Sequence, residues 1–318
     1  MTMRNLFRSG RSRRSQGLAH ANRCICVVAL FLLAGSLLVC AQNCTPPESM
    51  KAKLQDKPNA AVYNELGVWF AEKEQYACAA NVFATSLQIE PEQPEAARVA
   101  FMFGVSLYFS GDSKEAIAAL QQAEQLGSND IKIHTILATA LDSTQGTAGA
   151  IAEWRAALAF DPESSTVLDS LSSDLLLAND FQGTIDLLET PRLLGQRTEQ
   201  QSTNLATACT KTGKLEEAAK VLREGLNIAP GSLPLVHQLA SILVQLSRLE
   251  EANTALELAL AHHPDDALTH EALGVVLARL KQMAGAKEHL ERAIALGDNT
   301  PAVRENLARV LEALGADK

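Results

Sequence analysis

The sequence lacks the short signatures through which catalysis usually shows itself. It has no HExxH pair, no CxxC, no phosphate-cradling glycine loop and no GxSxG elbow. Cysteine is sparse. Of six, only Cys44, Cys78 and Cys209 lie beyond residue 41, and an odd number cannot form a complete disulfide framework. Acidic residues are missing from the first 41 positions, which carry Arg4, Arg8, Arg11, Arg13, Arg14 and Arg23. Without those six arginines the formal charge of −9 becomes −15. So acidic a chain argues against nucleic acid or an anionic lipid surface as partner.

What the sequence does have is a repeat. The stretch Ala60–Pro91 reads as two amphipathic helices back to back. Tyr63, Leu66, Gly67 and Phe70 share one face of the first, Ala79, Phe83 and Ser86 one face of the second, and Pro91 stops it. From Ala79 the small second-helix residue recurs as Ala116, Ala150, Thr184, Ala218, Ala252 and Ala286, after one step of 37 residues and then steps of 34. Leu66 recurs as Phe103, Leu137, Leu171, Leu205, Leu239, Leu273 and Leu307. Gly67 recurs as Gly104, Ala138, Ser172, Ala206, Ala240, Gly274 and Ala308, placing small residues where two helices cross. Phe83 recurs as Leu120, Trp154, Leu188, Leu222, Leu256 and Leu290. One hairpin cannot bury its own apolar faces, so the copies are expected to stack.

A 34-residue helix–turn–helix with small residues at these offsets and a closing proline resembles the tetratricopeptide repeat (TPR). The resemblance covers about Ala60 to Leu314. It implies an all-α fold, a right-handed α-solenoid of seven stacked repeats plus a C-terminal capping helix with Arg304, Glu305, Arg309 and Glu312 outward. The family's aromatic positions are mostly aliphatic here, Phe70 being followed by Leu107, Leu141, Leu175, Cys209, Leu243, Leu277 and Leu311. The resemblance also implies that first helices line a concave groove for an extended peptide or a partner helix. Family members that grip a C-terminal carboxylate use Lys and Asn at set inward places. Those places hold Asn64, Phe101, Thr135 and Asp169, then Val68, Val105, Thr139 and Ser173, so that clamp is missing.

Residues 1–41 read as an export signal: basic residues, an apolar run from Ile25 to Val39, and small residues Val39 and Ala41 around a cut after Ala41. The rival is an uncleaved N-terminal membrane anchor over residues 25–41. Lipidation at Cys40 or Cys44 is disfavoured by the branched Val39, and Arg13-Arg14 lacks the hydrophobic residues that follow a twin-arginine signal. Residues 42–59 read as a flexible tether and 60–318 as the solenoid, irregular near 183–198. There Pro191 falls in the last turns of a second helix, which is expected to end near Glu189.

The inward columns give the candidate site. In the second repeat they are Phe101, Met102, Val105, Tyr108 and Phe109, an apolar and aromatic cluster of the kind that forms interaction hot spots. The alternative is that the tether or a neighbouring helix covers these side chains. Farther on the columns are Thr135, Thr139, Asp142, Asp169, Ser173, Thr203, Asn204, Thr207, His237, Gln238 and Ser241, mostly hydroxyl and amide. His262-His263 lies at a helix end, where histidine is favoured without a metal, and His134 and His270 fall in a core column. Glu216-Glu217 and Glu250-Glu251 begin helices, where the helix dipole accounts for them. The expectation is a non-catalytic, exported (periplasmic or secreted) scaffold with no cofactor and no metal, binding a protein or peptide in its groove. The alternative is a membrane-tethered assembly subunit that uses the convex face or the solenoid ends.

Overall fold

The computed structural model describes residues 44–190 and 196–316. The export segment 1–41, the start of the tether and most of the stretch after Pro191 lie outside the described residues. Among the described residues all regular structure is α-helical, and the chain divides into two compact units between Thr144 and Gln145. Each unit is an all-α stack of helical repeats.

The first unit comprises α1 (Glu48–Asp56), α2 (Ala60–Glu72), α3 (Tyr76–Ile89), α4 (Ala96–Ser110), α5 (Ser113–Gln125) and α6 (Ile131–Gln145). Asn59 starts α2 by accepting the Val62 amide at 3.0 Å. Leu66, Phe70, Cys78, Ala79, Phe83, Val99 and Met102 form a core between α2, α3 and α4. A Cβ on Gly67 would sit 2.5 Å from the Phe83 ring, so this crossing of α2 and α3 needs glycine.

The tether expectation requires correction, because residues 48–56 are helical. Met50 and Leu54, one turn apart on α1, pack against that core, and Cys44 is disulfide-bonded to Cys78 of α3, 34 residues away. The α3–α4 loop, where three extra residues enter the period, is also anchored. Asn64 donates to Gln93 Oε1 at 2.6 Å, Gln93 donates to Ser86 Oγ at 3.1 Å, and Ser86 donates to Asn64 Oδ1 at 2.6 Å. All three side chains are buried, so the triangle satisfies polar groups that water cannot reach.

The second unit comprises α7 (Thr147–Phe160), α8 (Ser165–Leu177), α9 (Phe181–Leu188), α10 (Glu199–Lys211), α11 (Leu215–Ile228), α12 (Leu233–Gln245), α13 (Leu249–His262), α14 (Ala267–Arg279), α15 (Met283–Ala295) and α16 (Pro301–Ala316). The first helices α8, α10, α12, α14 and α16 each contact the next, as stacking requires. In both units the small second-helix column, Ala79 through Ala286 and including Thr184, is 0% exposed. Trp154 fills its core place and donates to the buried Asp174 at 2.9 Å.

The 34-residue beat also appears in the backbone. Turns from first to second helix put Glu74, Asn179, Ser247 and Lys281 at φ of 60–65°, where the equivalent turns use Gly111 and Gly213. The helix α9 has only eight residues and ends before Pro191. Its buried C-terminal end is closed by Arg197, which donates to the Leu188 carbonyl at 3.0 Å and to Glu224 of α11 at 3.2 Å. A guanidinium suits a helix C-terminus, and here it stands in for the missing turn.

Candidate functional site

In the first unit the second-repeat cluster separates into two kinds of residue. Met102 and Val105 are 4% and 1% exposed and belong to the core, so they are removed from the candidate surface. An inward column on α4 also faces the neighbouring helices, and long side chains there are swallowed by the packing. Phe101 and Tyr108 are half-buried and Phe109 is 42% exposed. The Phe109 ring lies 5.2 Å from Tyr76 and 5.3 Å from Tyr108, so three aromatics form one patch at the C-terminal end of α4. Thr135 and Thr139 on α6 return their hydroxyls to the Lys132 and Thr135 carbonyls at 3.0 and 2.7 Å, and Asp142 is exposed.

The same unit holds an open cavity of about 750 Å³ one repeat earlier than expected. Met50, Ala61, Val68 and Trp69 supply its apolar surface. Glu65 and Glu72 of α2 and Glu90 and Glu95 of the α3–α4 loop rim it. Ala61, Glu65, Val68 and Glu72 follow the helical spacing of one face of α2, a periodicity readable in the sequence. Met50 was not readable, because it enters through α1.

In the second unit the hydroxyl and amide stripe is mostly occupied by the protein itself. Asp169 accepts from Thr198 at 2.8 Å and from Gln201 at 2.7 Å. Asn204, 4% exposed, donates to Ser172 and Ser173 at 2.8 and 3.1 Å. Gln238 donates to Thr207 at 2.8 Å, and Thr207 donates to the Thr203 carbonyl at 2.8 Å. His237 Nε2 lies 2.7 Å from Thr269 Oγ1, and Thr269 donates to Asp266 at 2.6 Å, so the imidazole is the donor in that contact. These bonds run from α8 to α10, α10 to α12 and α12 to α14. The stripe is a ladder that fixes the stacking of first helices. Thr203 is partly exposed and Ser241 exposed.

A second open cavity, about 670 Å³, lies between α11 and α13 over α12. Leu226, Val236, Leu239, Leu243 and the 56% exposed Leu258 give it an apolar lining. Arg223, Glu250 and Glu251 stand at its edge, with Arg223 and Arg248 paired to Glu251 at 2.7 and 2.8 Å and Arg248 to Glu216 at 2.9 Å.

Five of the described histidines, His134, His237, His263, His270 and His289, have protein partners. His134 lies 3.2 Å from Glu124, and His263 donates to the Gly231 carbonyl at 2.8 Å. His270 is 8% exposed and meets His289 of α15 at 2.9 Å. Burial, and then His270, hold the His289 pKa below the usual histidine range. Cys209 is a buried free thiol whose pKa burial and Glu189 push up to about 11, which makes it a poor nucleophile.

A family model described as a tetratricopeptide repeat matches residues 210–276. A search of curated proteins finds no match. Solved structures share the fold at low identity. The C-terminal part of a TPR repeat-containing protein of Cytophaga hutchinsonii is 14% identical, with TM-score 0.61, covering 76% of this chain and 98% of that one. A tetratricopeptide repeat protein of Parabacteroides merdae is 15% identical, with TM-score 0.50, covering 79% and 98%. The pilF protein of Pseudomonas aeruginosa is 17% identical, with TM-score 0.50, covering 68% and 98%. With its 34-residue columns buried as repeat cores and residues 210–276 matching the repeat's family model, the chain has the tetratricopeptide-repeat fold.

Proposed function

We propose that the protein is an exported, non-catalytic scaffold that binds a peptide or partner protein along its first-helix face. The observation that carries this reading is the combination of a cavity floored by Val68 and Trp69 with a partly exposed patch of Tyr76, Tyr108 and Phe109, and the half-buried Phe101, on the same unit. Aromatic side chains left partly in water are the usual anchors of protein interfaces. Proteins of this fold class act in general as interaction scaffolds. Export is supported by the Cys44–Cys78 disulfide, since such bonds persist outside reducing compartments.

The test is Phe101→Ser together with Tyr108→Ser, read by partner binding and circular dichroism. Loss of the partner with helicity retained supports the reading, and unchanged binding refutes it. A second reading, an assembly subunit docking through second helices, is favoured by the apolar cavity around Leu258. It predicts that Leu258→Glu releases the chain from its complex while the aromatic variants do not. Among the described residues no helix is long and apolar enough to cross a membrane.

A further inference from the structure

We propose that the cavity of the first unit takes an extended segment of a partner protein carrying lysine or arginine beside an apolar residue. This rests on the first-helix scaffold reading and names the chemistry of its ligand.

Four carboxylates and a single guanidinium, Arg98, line the cavity, so its field favours a cation. The charges are not equally engaged. Glu65 is paired with Lys53, and Glu95 with Arg98 at 2.8 Å. Glu72 and Glu90 are exposed and make no ion pair among the described residues, so both remain available to a ligand. Trp69 is half-buried, with the Phe70 ring edge-on at 5.1 Å, and contributes to the cavity wall. An indole next to carboxylates suits a long cationic side chain, whose methylenes lie on the apolar surface while the charge reaches the acids. The walls are pre-organised. The Asn64–Gln93–Ser86 triangle fixes the loop bearing Glu90 and Glu95, and the disulfide lies at the start of the segment that delivers Met50. An anionic C-terminal peptide would meet the opposite field.

The experiment uses the oxidised chain from residue 42 onward. Its probes are a peptide alternating lysine, leucine and glycine, its glutamate-for-lysine counterpart, and an array of random short peptides. The lysine probe should bind and change Trp69 fluorescence. Binding should weaken about tenfold in Glu72→Gln/Glu90→Gln, two exposed sites whose change leaves folding intact, and weaken again as salt rises. The glutamate probe should not bind. Absence of lysine-probe binding, or equal binding to the double variant, overturns the proposal. The array separates this failure from that of the scaffold reading. Peptides that bind without basic enrichment and are lost on Phe101→Ser/Tyr108→Ser sink the cationic ligand alone, whereas an array with no binders sinks both.

Discussion

Arg197 is the residue on which the irregular fourth repeat depends. Its guanidinium is 7% exposed and joins the end of α9 to Glu224. Removing one partner of a buried, hydrogen-bonded charge leaves the others desolvated and unpaired. Arg197→Met is therefore expected to cost about 3 kcal/mol in denaturant unfolding. Arg197→Lys should recover only part of this, since an ammonium cannot reach the carbonyl and the carboxylate with the same fork. The left-handed turn positions give a prediction of opposite sign. Ser247 is exposed and sits at φ 60°, where two equivalent turns use glycine. Ser247→Gly should stabilise by about 1 kcal/mol, because the strain relieved outweighs the extra freedom of the unfolded chain. A loss of stability would show that the serine makes an interaction the exposed turn does not reveal.

At the scale of elements, α14 and α15 are joined by a histidine contact with a definite pH dependence. The Pro264 carbonyl 3.0 Å from His270 Nε2 only accepts, so that nitrogen carries the hydrogen. In neutral His270 the other nitrogen then accepts from His289, and protonating both rings would set two N–H groups against each other. Glu288 and Glu257 oppose the depression of the His289 pKa without reversing it. A histidine held below its unfolded pKa of about 6.5 binds fewer protons folded than unfolded. Its stabilisation is complete above that pH and is lost as pH falls through the folded value. The melting temperature should drop between about pH 7 and pH 5, and drop less in His289→Phe. Identical pH profiles would refute the coupling.

The N-terminal helix makes a separate element-scale prediction. With Met50 and Leu54 as its core-facing residues, α1 depends on the Cys44–Cys78 bond for its position. Reduction, or Cys44→Ser with Cys78→Ser, should expose residues 48–56 to proteolysis while the other helices stay protected.

Which elements the sequence discloses follows from what periodicity measures. A 34-residue beat reports burial, so the Leu66, Ala79 and Phe83 columns were legible, and so was Gly67 at the crossing. The outward and lateral faces were not. Met102 and Val105 have the spacing of groove residues but are core, and Asn204 and Gln238 are spent on neighbouring first helices. Period alone cannot distinguish a side chain facing solvent from one facing the next repeat. The helix α1 was hidden because a nine-residue segment with two apolar contacts has no periodic signal. Cysteine parity left the pairing of Cys44 with Cys78 open, since only the fold brings residues 34 positions apart to one place.

At the scale of the whole molecule, an acidic repeat scaffold carries a disulfide at its N-terminal end, and the export proposed for it would remove the basic segment 1–41. The intact mass from native cells should match a chain beginning at Gln42 and lighter by two hydrogens for the disulfide. A full-length reduced chain would contradict export.

The most direct test of the central claim is photo-crosslinking in native cells from a benzophenone side chain placed at Val68 or at Leu258. The first lies in the first-helix cavity and the second in the second-helix cavity. A discrete adduct from Val68 with none from Leu258 is the predicted result. An adduct from Leu258 alone would contradict the account and make the second helices the working surface.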